Sequence, residues 1–428
     1  MVSQHIIDKL NERDKEKNPI KVAIAGTGFI GRGLINQISL MKGIKVIAIG
    51  NRNVRKAEEV VNQIGINITG KICNHSLELN NSVKEGKIGI VSNPLLLAET
   101  EADIIVDCTG DVMTGASLGF ATLNNNKHFI SNPEMDVTIG PVLNKIAETK
   151  GAIYSDQEGD EPGVIMGLYR YVKLLGLDVI AAGKFKKFYD RHANPTTVKK
   201  WADKAEQSPY KISSFTDGSK MSIEMAIVSN ATGLVPDVRG MHLPSSTLNT
   251  ATNVLTTKET GGILSSKGIV DIVFDVEPSG GVYIVATTSH PRIIKDLQYY
   301  KMGEGPNYLF YRPYHLCSFE MAIGIIRAVI DGDSTIKPIG KPVADVITVA
   351  KKDLFPGDTL DSIGGYSYYG LIDKADIIKR ENILPIGLAK GAKIVKPVKM
   401  DTPISFNDIE IDTTTILWEL RQQYNNMI

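Results

Sequence analysis

Ile20-Lys-Val-Ala-Ile-Ala-Gly-Thr-Gly-Phe-Ile-Gly-Arg-Gly33 is the stretch that decides how the chain begins to fold. An apolar run ends at Gly26, glycines follow at 28 and 31, and residues 34–40 carry a helical pattern. Strand, glycine turn and helix in this order predict a dinucleotide-binding unit built on a parallel sheet. Gly26 allows the tight turn, and Gly28 lets a pyrophosphate approach the backbone. Gly31 lets helix and strand pack closely, while the helix N-terminus turns N–H groups toward the anion. Gly26, Gly28, Phe29, Ile30 and Gly31 are therefore the expected cofactor-binding residues.

A second apolar strand, residues 44–50, ends at Gly50-Asn51-Arg52-Asn53-Val54-Arg55. About 20 residues beyond the third glycine an NAD site usually carries an acid for the ribose hydroxyls. Here Asn51 stands with Arg52 and Arg55, which suit a ribose phosphate. NADP(H) is favoured over NAD(H). A further buried strand ends at Asp107-Cys-Thr-Gly110, so Thr109 and Gly110 should face the nucleotide at the carboxyl edge of the sheet.

The 428 residues suffice for two or three domains, and the 48 basic and 48 acidic side chains balance to zero net charge. Nothing in their spread points to nucleic acid or to a membrane surface. Residues 1–17 read as a short amphipathic helix without the apolar core of a signal peptide, and no apolar run is long enough to span a bilayer. A cytoplasmic protein is expected. Three cysteines, at 73, 108 and 317, show no metal-type spacing.

The strand–helix alternation predicts an α/β chain with a Rossmann domain over residues 1–155, including a helix from about Gly140. Residues 156–335 read as an α+β substrate and dimerisation domain, with helix 319–330 returning to the first domain. Residues 336–428 read as a small module of short strands closed by a C-terminal helix. The loop Asp156-Gln-Glu-Gly-Asp-Glu-Pro-Gly163 gathers four carboxylates in six residues, suited to a divalent cation, to a substrate or to plain solvation. Strand 177–183 is followed by Lys184-Phe-Lys-Lys-Phe-Tyr-Asp-Arg191, too polar for a core. A helix over residues 219–232 puts Lys220 and Glu224 on one face. Segments 268–277 and 281–288, flanking Pro278-Ser-Gly-Gly281, predict an antiparallel hairpin. His192, His242, His290 and His315 fall in polar or turn segments, show no metal spacing, and read as surface or satisfied residues.

On Gly26-Thr-Gly-Phe-Ile-Gly31, Asp107-Cys-Thr-Gly110, Gly159-Asp-Glu-Pro-Gly163 and Ser214-Phe-Thr-Asp-Gly-Ser-Lys-Met-Ser-Ile-Glu-Met225, the chain resembles homoserine dehydrogenases. It is similar above all to the homoserine-dehydrogenase-like group with a C-terminal SAF domain, which includes deoxyxylulose-phosphate reductoisomerase-like enzymes. Lys352-Asp-Leu-Phe-Pro-Gly-Asp358 and Leu384-Pro-Ile-Gly387 carry the SAF resemblance, which implies a small all-β β-clip fold. The resemblance also implies a homodimer. Two departures stand out: the Ala-Asn-Lys of homoserine dehydrogenases reads Ser131-Asn132-Pro133, and their Asp and Lys four apart read Lys220 and Glu224, reversed in sign.

Hydride transfer to a carbonyl builds charge on its oxygen, which needs a cation or acid within reach. Lys220 is the first catalytic candidate, Lys184 the second, and Glu224 tunes Lys220 or binds a substrate hydroxyl. Asp160, Glu161 and Arg191 are the substrate-binding candidates, and Asp160 and Glu161 the candidate ligands of a divalent cation. The reading is an NADP(H)-dependent oxidoreductase of a small, polar, anionic carbonyl or hydroxyl substrate, with a reductoisomerase of deoxyxylulose phosphate as one form. Reduction of aspartate semialdehyde, a redox-neutral lyase or epimerase with tightly held nucleotide, and a nucleotide-sensing binding protein are the alternatives.

Overall fold

The computed structural model describes residues 4–65 and 68–428, so the first three residues of the helix expected over residues 1–17 lie outside the described residues. The chain forms two compact units. The first comprises Met1–Asp160, Leu316–Lys337 and Glu419–Arg421; the second comprises Glu161–His315, Pro338–Trp418 and Gln422–Ile428.

The first unit runs α1 (Gln4–Lys15), β1 (Ile20–Ala25), α2 (Phe29–Ser39), β2 (Ile44–Gly50), α3 (Val54–Asn62), β3 (Gly70–Ile72) and α4 (Ser76–Lys84). It continues through β4 (Ile88–Val91), β5 (Ile104–Asp107), α5 (Val112–Asn124), β6 (His128–Ile130), α6 (Pro133–Lys150) and β7 (Tyr154–Ser155). The seven strands lie in the order β3-β4-β2-β1-β5-β6-β7, all parallel. Without the edge strand β3 this is the doubly wound order whose switch point lies between β1 and β5, where ligands bind beyond the strand ends. The fold is a Rossmann-type α/β fold. Burial on both faces explains the nearly unbroken apolar runs of the central strands. Helix Cys317–Ile326 packs into the same core through Met321, Ala322, Ile325 and Ile326. It lies so near α2 that a Cβ on Gly33 would sit 2.4 Å from Ser318 Oγ.

One helix of this unit starts earlier than its sequence suggests. α6 begins at Pro133, with Asn132 as its cap accepting from the Met135 amide at 2.9 Å. Proline at the first helical position loses no hydrogen bond. Gly140, where the sequence reading began the helix, and Pro141 lie inside α6.

In the second unit, α7 (Glu161–Leu174) leads into β8 (Asp178–Lys186), then to α8 (Lys199–Lys204), α9 (Pro209–Thr216) and α10 (Ser219–Thr232). The strands β9 (Val235–Pro236), β10 (Ile269–Phe274), β11 (Val282–Thr287) and β12 (Asn307–Arg312) complete a mixed sheet in the order β12-β11-β8-β10-β9. The expected hairpin of β10 and β11 does not form. β8 lies between them, parallel to β10 and antiparallel to β11. Two strands joined by a turn look alike in sequence whether or not a third inserts.

The C-terminal stretch pairs β13 (Ala344–Ala350) with β14 (Tyr368–Lys374), and β15 (Lys393–Ile394) with β16 (Ile409–Glu410), both antiparallel. It belongs to the second unit. Asn230 of α10 ties it down, accepting from the Val343 and Ala344 amides at 2.9 and 3.1 Å and donating to the Ala344 carbonyl at 3.1 Å. Ser219 and Ser222 of α10 bond the Gly370 amide and carbonyl on β14. Residues 219–231 of α10 are therefore all buried, and a helix buried all round holds ionised side chains only when they are partnered.

Candidate active site

The residues singled out in the sequence fall into two constellations, one in each unit. In the first, Gly26 closes β1 with φ +94°, in the left-handed region, and a Cβ there would sit 2.7 Å from the Cys108 carbonyl oxygen. A Cβ on Gly31 would come within 2.0 Å of the Gly26 carbonyl oxygen. Gly28, by contrast, has nothing within 4 Å of where a Cβ would lie, and it caps α2 without a side-chain bond. The first amides of a helix have no partner within the helix. The space beside Gly28, at the start of α2, is open. Thr27 Oγ1 is buried with no hydrogen-bond partner among the described residues. The cradle fits a pyrophosphate. Phe29 is half exposed at its rim and Ile30 half-buried.

The Asn51 side chain accepts from the Thr27 amide at 3.3 Å and donates to the Asn53 carbonyl at 2.6 Å, so it braces the turn. Arg52 is exposed at the end of β2, and Arg55 is exposed but paired with Glu58 at 2.9 Å. Thr109 donates to Asp107 Oδ1 from its amide at 2.8 Å and its hydroxyl at 2.6 Å, and Gly110 follows with φ +64°. Asn132 donates to Asp107 Oδ2 at 2.5 Å. Gln157 donates to the carbonyls of Asp107 and Ser131 at 3.3 and 3.2 Å, linking the ends of β5 and β6.

Burial pushes the Asp107 carboxyl up to about 6 in spite of these donors. The folded protein then binds a proton that the unfolded chain releases between about pH 4 and 6. That stabilisation is complete below pH 4 and is lost as pH rises through 6. Asp107→Asn removes this titration, so its deficit against the native chain should be larger at pH 4.5 than at pH 7.5. Urea unfolding at the two pH values measures the difference, and equal deficits would contradict it.

The acid-rich loop is not a solvated one. Asp156, Gln157, Asp160 and Glu161 are buried. Glu158 accepts from Arg327 at 3.2 Å and from the Thr335 hydroxyl at 2.6 Å, a tie within the first unit. Asp160 ends that unit, with Cys317 Sγ 3.8 Å from its Oδ1.

In the second unit β8 runs on through Lys184, Phe185 and Lys186, where the sequence suggested a polar loop. Lys184 is 6% exposed. Its ammonium donates to Glu161 Oε1 at 2.8 Å and bonds Glu224 Oε2. Lys220 lies 3.3 Å from Glu224 Oε1. Strand β8 and helices α7 and α10 thus bring Lys184, Glu161, Glu224 and Lys220 together. Lys220 and Glu224, which could have been an exposed helix pair, are buried with the rest. Burial alone would lower the Lys184 ammonium, but Glu161 and Glu224 together raise it above its ordinary value. Lys184 is therefore the cation that contacts both carboxylates of the cluster, while Lys220 contacts Glu224.

Sequence reading missed three members of this neighbourhood. His315 places Nε2 3.6 Å from Glu161 Oε1 and Nδ1 2.7 Å from the Gly280 carbonyl. A carbonyl only accepts, so Nδ1 carries the hydrogen. Asp217, at the turn before α10, is buried against Lys351 at 2.7 Å, whose ammonium also donates to the carbonyls of Ala193 and Gly365. Distant spacing hid this pair. Arg191, in contrast, is exposed; its contacts are Tyr189 Oη at 3.2 Å and the Tyr369 ring.

Residues 159–321 match the family model described as oxidoreductase DRL, catalytic domain. Together with the dinucleotide cradle, this match defines the class of the protein as an NAD(P)-dependent oxidoreductase. No curated relative matches the sequence. Among solved structures the chain is similar to scyllo-inositol dehydrogenase from Lactobacillus casei with bound NAD(H) and scyllo-inositol (11% identity, 74% of this chain and 90% of that one, TM-score 0.42). It is similar also to myo-inositol 2-dehydrogenase from Lactobacillus plantarum (11%, 74% and 90%, 0.41). Biliverdin reductase from Synechocystis sp. PCC 6803 in complex with biliverdin and NADP+ follows (15%, 41% and 49%, 0.30). Among the described residues no helix is long and apolar enough to cross a membrane.

Proposed function

We propose that the protein is an NADP(H)-dependent oxidoreductase that moves a hydride to or from a small, polar, anionic carbonyl or hydroxyl compound. The observation that carries this reading is the buried cluster of Lys184, Glu161, Glu224 and Lys220 within the stretch that matches an oxidoreductase catalytic domain. When bound, the nicotinamide supplies the hydride. Lys184 holds both carboxylates in fixed geometry, Lys220 meets the charge that grows on the substrate oxygen, and Glu224 orients Lys220. Glu161 and Asp160 bind substrate hydroxyls; a divalent cation there would compete with Lys184 for Glu161 Oε1.

Arg52 supports the choice of NADP(H), since it is exposed at the end of β2 with no carboxylate beside it in sequence. Arg52→Glu should weaken NADPH binding by about 10- to 100-fold while NADH binding changes less than about threefold, corresponding to about 1.4–2.7 kcal/mol on the phosphate alone. Fluorescence titration with both nucleotides checks this, and an equal loss for both would overturn the assignment.

A reductoisomerase acting on deoxyxylulose phosphate is the form of the reaction that we propose first. NADPH absorbance is followed with that sugar phosphate and magnesium or manganese, with aspartate semialdehyde in parallel. Consumption with the sugar phosphate alone supports it, and consumption with the semialdehyde alone assigns homoserine-type chemistry. The same reading includes an SAF-like module over residues 336–428 and a homodimer, which light scattering on the purified protein tests.

A further inference from the structure

Lys186 stands out beside the cluster. It lies two residues from Lys184 on β8, and alternate residues of a strand point to the same face. Lys184 is locked between two carboxylates. Lys186 is only half-buried, and among the described residues its ammonium donates to one backbone carbonyl, that of Phe215 at the end of α9. An ammonium has three N–H bonds. One carbonyl leaves two directions for something else. The charged groups that act on it are Lys184 on its own strand, Glu161 from α7, Glu224 from α10 and Asp217 from the turn before α10.

We propose that Lys186 is a further catalytic residue of this site, the acid that protonates the substrate oxygen, while Lys184 stays fixed as the structural cation. The inference rests on the oxidoreductase reading above. In the reductive direction the carbonyl carbon gains a hydride with its electron pair from reduced nicotinamide, and the C=O π pair moves onto oxygen. That oxygen takes a proton from Lys186 Nζ, giving an alcohol, oxidised nicotinamide and a neutral amine, which recovers its proton from water. An acid in this role works best when its pKa is near the working pH. Burial, with the Lys184 charge second, brings the Lys186 ammonium down to about 8, whereas Lys184 is held up. The two lysines have divided the tasks of holding and giving.

The test needs no knowledge of the substrate. Glyoxylate, a small anionic aldehyde, condenses with a neutral amine, and cyanoborohydride fixes the imine as a carboxymethyl group read by peptide mass. At pH 7.5 about a quarter of an amine of pKa 8 is neutral, against about a thousandth of an ordinary lysine. Lys186 should therefore be modified on the order of 50-fold faster than the exposed Lys200 and Lys267, with a rate that rises through about pH 8 and then levels. Lys186→Arg keeps the charge and a donor to the Phe215 carbonyl but should lose that fast label. If Lys186 merely caps α9, it will be modified no faster than Lys200, or its rate will still climb beyond pH 10, and either result overturns the inference. NADPH binding by fluorescence on the same sample separates the two claims. Labelled Lys186 without nucleotide binding removes the oxidoreductase reading and the role with it; nucleotide binding with Lys186 unlabelled removes this role alone.

Discussion

Glu224→Ala is expected to destabilise the protein by about 3–5 kcal/mol, the range for removing one partner of a buried ion pair. Glu224 is 1% exposed and pairs with both Lys184 and Lys220. Its loss leaves Lys184 with one carboxylate in place of two, in surroundings that otherwise lower an ammonium. Glu224→Gln keeps a carbonyl that accepts from Lys184 and should cost less than the alanine change. Urea unfolding at pH 7.5, followed by circular dichroism, measures both. A cost under about 1 kcal/mol for Glu224→Ala would mean that the cluster is effectively solvated.

Alanine substitutions in the glycine cradle should separate nucleotide binding from stability. At Gly31 an added Cβ meets the Gly26 carbonyl at 2.0 Å, backbone against backbone, and no flexible side chain can move aside. Gly31→Ala should cost about 1–3 kcal/mol of stability through displacement of α2. It should also weaken NADPH binding at least about 100-fold, or about 2.7 kcal/mol. Gly28 has φ −69° and open space where a Cβ would lie. Gly28→Ala should therefore fold with little change in urea midpoint yet lose NADPH to a similar degree, because the methyl group fills the approach of the pyrophosphate. If Gly28→Ala binds NADPH normally, the phosphates do not lie over this turn.

The first unit was the more legible in sequence because its strands are buried on both faces and its glycine turn has one physical purpose. β2 spans residues 44–50 as its apolar run suggests, and α10 spans 219–232. The start of α6 was read near Gly140, whereas the Asn132 cap opens the helix already at Pro133. The second unit was harder. Lys184 and Lys186 lie in a stretch that reads as too polar for a core, yet the glutamates that pair with Lys184 come from α7 and α10, 23 and 40 residues away along the chain. Asp217 and Lys351 are 134 residues apart, and His315 reaches Glu161 from the far end of the matched stretch. Pairings of this kind depend on the strand order β11-β8-β10, which local periodicity does not encode.

The first unit takes its final pieces from late in the chain. Residues Leu316–Lys337 supply Met321, Ala322, Ile325 and Ile326 to its core, and Arg421 donates to the Thr138 carbonyl at 3.0 Å. On a ribosome making about 5–20 residues per second, the sheet of the first 160 residues must wait on the order of tens of seconds for these pieces. Through that interval the growing chain carries an apolar wall with nothing against it. A nascent polypeptide in that condition is a natural client for a holding chaperone, and an expressed fragment ending near residue 160 would remain in it permanently.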